Sequence, residues 1–582
     1  MKNLFTLKKY FVRYKKKLIW GIVFVVLSNA GTSYVPLLIK DAINELAQKV
    51  IVEKLIIYSL LIVGASLFAG IFRFLIRETI IVVSREIEFD LRNDFWKHIQ
   101  KLPLRYFQNN STGNIMAHAT NDINAVRMFL GPAVMYSIDT IIRLLIVITI
   151  MFSLNISLTI YSLLPLPFLS ILVYKIGKLI YEKFTLIQEK FSELTTKAQE
   201  NYAGIRVIKS YVREDNEIKE FRKLNRDYLN RNMDMVKIQA FLQPILFLII
   251  GISIIVVIWI GGIKVIQGTM NLGQIIAFIT YLGILIWPVI AFGWVINLIQ
   301  QAEASMKRLN KIFAEEFEIE DSKSTDYSIK TLKDKIEFKN VSFRYSDNLP
   351  YVLKNINLII PEGSTIAIMG YTGTGKTTLV NLIPRLYDCS EGEVLINGKN
   401  IKAIPIDVLR SNTGLVQQEA FLFSDTITNN ISYGLRNISK DKVIEVSKIA
   451  HFDNEVKSFP LGYDTFMGER GITLSGGQKQ RVTLARALAI DPKILILDDS
   501  FSAVDTNTEE EILKSLKKFM KGRTSLIISH RISTVKDADK IIVLSNANIV
   551  EEGTHAELIA RRGIYADLHY KQLLEKELEE LN

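Results

Sequence analysis

Six stretches within the first 300 residues are apolar for long enough to cross a bilayer, and they decide the architecture before any other feature. A hydrocarbon core of ~30 Å needs about 20 residues of helix. By that measure the spans lie at 18–40, 55–82, 130–154, 156–178, 241–266 and 274–300. Their connections are lopsided. The link at 154–156 is "LNI" and that at 266–274 is "IQGTMNLGQ", whereas 83–129 and 179–240 are long, polar and mostly free of helix breakers. Such segments read as helices that run far past the membrane before turning back. A hydrophobic share of 49% agrees with spans, so the net charge of +11 is read as basic flanks facing a membrane rather than as a nucleic-acid surface.

The long connections and their flanks carry Arg85, Arg92, Lys97, Lys101, Arg105 and Arg127, then Lys175, Lys178 and Lys183. That excess places them, and the N-terminus with them, on the cytoplasmic side of the cell membrane. Residues 4–17 alternate apolar and basic, the pattern of an amphipathic helix along the inner surface or simply of a basic flank. The N-terminal stretch shows no small-residue cleavage site for a signal peptide. A single cysteine, Cys389, excludes an intrachain disulfide and reads as an ordinary reduced thiol.

Charge inside a span is costly, about 2.5–3.5 kcal/mol near the centre. Arg143 lies 11 residues before Leu154, about 16 Å at helical rise, and so sits near mid-membrane. Asp139 is one turn earlier on the same face and in reach of it. The pair is either a self-contained ion pair or a substrate-facing one. Arg73 and Arg77, nearer the cytoplasmic end of the second span, are expected to snorkel. Phe278, Tyr281, Trp287, Phe292 and Trp294 crowd the sixth span around Pro288, which fits either an apolar substrate wall or helix packing.

Around 311–335 the apolar character gives way to charge, and this stretch reads as a linker between a membrane domain (1–310) and a second domain (336–582). There, short strands such as "STIAIMG", "KILILDD" and "TSLIISH" alternate with amphipathic helices, the texture of an α/β domain. After the first of these comes "GYTGTGKTT", 370–378, which fits G-x-x-x-x-G-K-[ST]. Its glycines let backbone amides face phosphate oxygens, Lys376 reaches the β- and γ-phosphates, and the Thr377 hydroxyl ligates magnesium. Asp498, an acid ending an apolar strand, is the second metal residue.

"LSGGQKQR" at 474–481 carries a resemblance. With "GYTGTGKTT", "LVQQEAFLF", "ILILDDSFSAVD" and "IISHR" in this order, the C-terminal half resembles an ATP-binding-cassette domain. The six spans resemble the membrane half of bacterial multidrug and lipid ABC exporters, the likeness covering nearly the whole chain. It implies an α-helical six-span membrane domain with long intracellular helices, followed by an α/β P-loop ABC ATPase domain, using ATP and Mg2+. It implies that Gly370, Tyr371, Thr372, Gly373, Thr374, Gly375, Lys376, Thr377 and Thr378 cradle the nucleotide. Tyr345 matches the adenine-stacking aromatic, and Gln418 the residue linking magnesium and the attacking water to the membrane loops. Ser475, Gly476, Gly477 and Gln478 match the signature that completes a partner's site. His530 matches the γ-phosphate switch, and Asp505 the residue joining the two sites. "STGNIMAHATNDINAV" (111–126) and "ENYAGIRVIKSYVRED" (200–215) are similar to the family's first and second intracellular loops, the second with a short transverse helix touching a nucleotide domain.

Asp499 departs from the family, whose usual residue there is a glutamate acting on the attacking water. A carboxylate one methylene shorter falls back by roughly 1–1.5 Å, and a misplacement on the order of 1 Å can cost about a hundredfold in rate. A weakened base beside an intact signature resembles one half of an asymmetric heterodimeric exporter, whose partner is a different half-transporter supplying a glutamate. The alternatives are a homodimer with Asp499 as a slow working base, and an ATP-gated channel or regulator. The expected substrate is a hydrophobic or amphipathic drug, lipid or peptide.

Overall fold

The computed structural model describes residues 2–47, 52–332, 335–435, 438–468, 471 and 474–580, apart from a few side chains within helices. The chain sorts into two compact units, one of Met1–Ile99 with Thr112–Glu315, the other of Gln100–Ser111 with Glu316–Asn582.

In the first unit, among the described residues, five helices are long and apolar enough to cross a membrane: Lys15–Leu46, Val52–Ile99, Thr112–Leu154, Phe247–Ile266 and Leu272–Phe313. The expected span at 156–178 is divided between a helix Ile156–Leu163 and a helix Pro165–Ala203. The physical cause is Pro165, which has no N–H to donate into the preceding turn. Leu164 nevertheless keeps helical torsions (φ −56°, ψ −35°), and its N–H reaches the Ile160 carbonyl at 3.1 Å. The side chains of Leu166, Leu169, Ser170, Val173 and Tyr174 lie outside the described residues.

The short link before Ile156 works because Asn155 is extended and caps the next helix, accepting from Leu158 N (3.0 Å) and from the Lys264 ammonium (2.9 Å). The other short link ends in a capping box between Asn271 and Gln274. Of the long segments, the second runs as Pro165–Ala203, bends at Gly204 into the short helix Ile205–Ser210, and turns at Val212 into Glu214–Ile266. In the first, Asp122 is buried between the Arg308 guanidinium, which bonds both its oxygens, and His118 Nδ1 at 2.6 Å.

Residues 2–13 do form short helices, and basic side chains at four-residue spacing are engaged by acids. Lys9, Arg13 and Lys17 pair with Asp94 (2.7 Å), Asp90 (2.5 Å) and Glu86 (2.5 Å). Both series step by four residues in opposite directions, so two antiparallel helix faces match charge for charge. Leu7 and Tyr10 are buried beneath. The segment is therefore held against the helix Val82–Ile99, with Phe5 and Val12 still exposed.

Among its described residues the second unit holds ten strands: β1 (Ile336–Phe343), β2 (Leu353–Ile360), β3 (Thr365–Met369), β4 (Glu391–Ile396), β5 (Lys399–Asn400), β6 (Thr413–Val416), β7 (Ile494–Asp498), β8 (Thr524–Ile528), β9 (Lys540–Ser545) and β10 (Asn548–Gly553). One sheet is antiparallel in the order β2-β1-β4-β5, and the other runs β10-β9-β3-β8-β7-β6. In the latter β9, β3, β8, β7 and β6 are parallel. Strands β7 and β8 are buried along their whole length, which is why they read as unbroken apolar runs rather than alternating ones. Cys389 is half-buried, free, and its thiol is pushed up by that burial.

Candidate functional site

Four of the sequence motifs begin where neighbouring parallel strands end. Gly370 follows β3, His530 comes two residues after β8, Asp498 ends β7, and Gln418 comes two residues after β6. Since β3, β8, β7 and β6 are consecutive in the sheet, with roughly 4.8 Å between strands, residues far apart in sequence meet along one carboxyl edge. That edge is where open α/β sheets bind ligands.

The loop after β3 must turn tightly at Gly370. Its φ is +144°, and a Cβ there would meet the Leu544 carbonyl at 2.3 Å. Thr374 Oγ1 donates to the Tyr371 carbonyl at 2.9 Å, while Tyr371, Thr372 and Gly373 are exposed at the loop's crest. The Lys376 side chain, only 7% exposed, folds back into the loop, its ammonium donating to the Gly370 (2.8 Å) and Tyr371 (2.9 Å) carbonyls. Burial lowers its pKa, against the pull of Asp498 and Asp499.

Asp498 is 3% exposed and accepts a hydrogen bond from the Thr377 hydroxyl. Burial raises its carboxyl; the Thr377 bond, Lys376 and His530 oppose this, and Asp499 adds to it. Thr377 and Asp498 thus present adjacent hard oxygens, the donor set of Mg2+, which keeps waters and phosphate oxygens for its other positions. Among the described residues no group of three or more His, Cys, Asp or Glu side chains forms a cage. The residues present therefore fit Mg-ATP.

Asp499 is half-buried with a left-handed backbone, φ +43°, its N–H donating to Ile528 O at 2.9 Å. Aspartate enters that region more readily than longer side chains do. Gln418 and its neighbour Gln417 are exposed.

The signature residues form a helix start. Ser475 caps the helix Gly476–Ala489, accepting from Gln478 N at 3.3 Å, while Gln478 Oε1 accepts from Ser475 N at 2.9 Å. Gly477 is required by a close approach, since a Cβ there would lie 2.7 Å from the Ala503 carbonyl. Gln480 fastens the same turn, bonding Ser502 Oγ and Ala503 N at 3.0 Å each. Asp505 caps the helix Thr506–Met520 through Thr508 N (2.9 Å), which holds its carboxyl below the usual range. Tyr345 donates or accepts at Thr378 Oγ1 (2.8 Å) and stands edge-on to Phe343 and Tyr387.

Three supporting groups had no signal in the sequence. Glu509, buried, binds the Arg531 guanidinium and Thr534 Oγ1 (2.5 Å), tying the helix after Asp505 to the loop of His530. Gln108, from the segment that belongs to the second unit, bonds the Tyr387 hydroxyl. Gln572, in the helix Ile564–Glu580, holds the backbone around His530 on both sides: its Nε2 donates to His530 O and its Oε1 accepts from Ile532 N at 2.9 Å. Nothing in the pattern of a C-terminal helix marks that glutamine. As a positioning residue it should show in turnover: Gln572→Ala is expected to lower kcat roughly tenfold with the KM for ATP unchanged, whereas a purely structural role would leave both intact.

In the membrane unit Asp139 and Arg143 do pair, at 2.9 Å, and Asn29 Nδ2 joins at 2.8 Å. Of the sixth-span aromatics, Phe278 and Tyr281 are buried packing residues while Trp287 and Trp294 are exposed; the Phe292 side chain lies outside the described residues.

Residues 18–289 match the family described as ABC transporter transmembrane region, and residues 353–502 the family described as ABC transporter. The chain is 35% identical to the multidrug resistance-like ATP-binding protein MdlA of Buchnera aphidicola, over 98% of this chain and 99% of that one. It is 36% identical to the ATP-dependent lipid A-core flippase of Syntrophus aciditrophicus, over 96% and 93%. Among solved structures it resembles a bacterial Atm1-family ABC exporter with ATP bound, at TM-score 0.80 and 27% identity, over 96% of this chain and 98% of that one.

Proposed function

The chain belongs to the family of ABC exporters that fuse a transmembrane domain to an ATP-binding domain, and from that premise we propose that it is one half of a heterodimer exporting a hydrophobic or amphipathic drug, lipid or peptide. In this reading Lys376 and the 370–378 loop hold the phosphates of ATP. Thr377, Asp498 and Gln418 hold Mg2+, which neutralises charge on the phosphates when bound. Tyr345 stacks on adenine, His530 contacts the γ-phosphate, and Asp499 is the base, set back from the water it acts on. Ser475, Gly476, Gly477, Gln478 and Asp505 serve the site on the partner.

The observation that carries the reading is the convergence of Lys376, Thr377, Asp498, Asp499 and His530 on one sheet edge. Two further features support a partner. The tip of the second long excursion is apolar and exposed, with Tyr211 at 74% and Val212 at 83%. The signature helix is fully capped and ready to face another chain's phosphate. The helical torsions of Leu164 support a sixth span across Pro165. With six spans both the N-terminus and the ATPase domain face the cytoplasm of the cell membrane. The left-handed backbone at Asp499 favours a second reading, a homodimer in which this aspartate is a comfortable though slow base.

Export is tested in proteoliposomes with the ATPase domains outward, using a panel of dyes and fluorescent lipids. ATP should drive at least one of them inside above its external concentration, and Lys376→Ala should stop it. Fluxes that only equilibrate would instead identify a channel.

A further inference from the structure

Inside the membrane unit a cavity of about 330 Å³ is lined by Arg73, Arg77, Arg143 and Asp139. Asp139 is fully committed: Arg143 Nη2 donates to both its oxygens (2.9 and 3.2 Å) and Asn29 to one (2.8 Å). Arg143 Nε is buried without a partner. Arg73 and Arg77, four residues apart on one helix face, form no ion pair among the described residues, and Arg77 opens a π-helical turn, Arg77–Ile81. Three guanidinium groups face one carboxylate, which leaves two positive charges without a counter-charge. Arg73 and Arg77 are exposed on this wall and free to meet the oxygens of an anion. The guanidinium fork matches phosphate or carboxylate oxygens two at a time. The remaining wall is apolar and aromatic, with Met135, Tyr136 and a half-exposed Trp287, whose ring lies 6.4 Å from that of Tyr136.

Resting on the exporter reading above, we propose that this cavity takes the anionic head of an amphiphile, so that the exported class is an acid or phosphate ester with a hydrocarbon body rather than a cationic drug. Arg73 and Arg77 bind the head, the Asp139–Arg143–Asn29 set holds the third guanidinium in place, and Tyr136 and Trp287 receive the start of the chain. A phosphate-bearing membrane lipid and a soluble acidic amphiphile share this chemistry.

The test is a tryptophan-fluorescence titration of the full-length chain in phosphatidylcholine nanodiscs without ATP, with Trp287→Phe assigning the signal. The probes are lysophosphatidic acid, dodecyl sulfate, lysophosphatidylcholine, tetraphenylphosphonium and inorganic phosphate. The two anionic amphiphiles are expected to bind at least tenfold tighter than the zwitterion and the cation, and Arg73→Gln with Arg77→Gln to weaken them at least tenfold. Preference for lysophosphatidic acid over dodecyl sulfate points to the lipid, and equal binding to the soluble class; either supports the site. Equal binding of lysophosphatidylcholine, tighter binding of the cation, free phosphate binding as well as the amphiphiles, or unchanged affinity in the double variant would each overturn it. Both exchanged arginines are exposed, so the variant keeps its fold, checked by circular dichroism. A failure of the exporter reading shows separately, as binding without ATP-driven accumulation.

Discussion

Exchanging Lys376 for alanine is expected to weaken Mg-ATP binding by roughly thirty- to a hundredfold, the equivalent of about 2–3 kcal/mol for losing a charge-assisted donor. The ammonium is buried and fixed between two loop carbonyls, so it need not be desolvated again when phosphate arrives. Its pKa is lowered by the same burial, and a phosphate nearby would oppose that shift. Isothermal titration of the purified chain measures this directly. An affinity within threefold of the natural chain would mean that the loop amides alone hold the phosphates.

Gly370→Val should damage the fold of the ATPase domain severely, costing about 3 kcal/mol or more. Two penalties combine. A side chain at φ +144° is strained in itself, and its Cβ would sit 2.3 Å from the Leu544 carbonyl, a backbone atom of β9 that cannot swing away. For a domain of this size the melting temperature is expected to fall by roughly 6–12 °C. Gly373→Ala supplies the control, since its φ of +84° is also left-handed but nothing lies within 4 Å of the added atom. It should cost only about 1 kcal/mol. Equal destabilisation by the two would show that torsion, not the approach to β9, sets the requirement at Gly370.

Much of the site is legible in the sequence because its chemistry is local. A phosphate loop needs its glycines and lysine at fixed spacing, and an apolar strand ending in Asp498 announces a buried carboxylate. The parallel order β3-β8-β7-β6 then brings these distant motifs together without any further signal. What stays hidden depends on partners far away in sequence. Gln572 acts through two backbone groups of the His530 loop, and a lone glutamine on a polar helix has no period to betray it. Gln108 meets Tyr387 only because residues 100–111 fold with the second unit. The ion pairs of Lys9, Arg13 and Lys17 are hidden too, because their acids lie some 70–85 positions away. The division of the fourth apolar stretch is the opposite case, for Pro165 is plain in the sequence and its effect on one hydrogen bond is local.

The measurement that bears most directly on an impaired half-transporter is steady-state ATP hydrolysis by this chain alone, beside its Asp499→Glu variant. The natural chain is expected to be nearly silent and the variant to gain at least tenfold, because the longer carboxylate recovers on the order of 1 Å toward the attacking water. That gain must appear despite the left-handed backbone, which a glutamate tolerates less well. Turnover on the order of 1 per second or faster by the natural chain, with no gain in the variant, would contradict it and make Asp499 a working base in a homodimer.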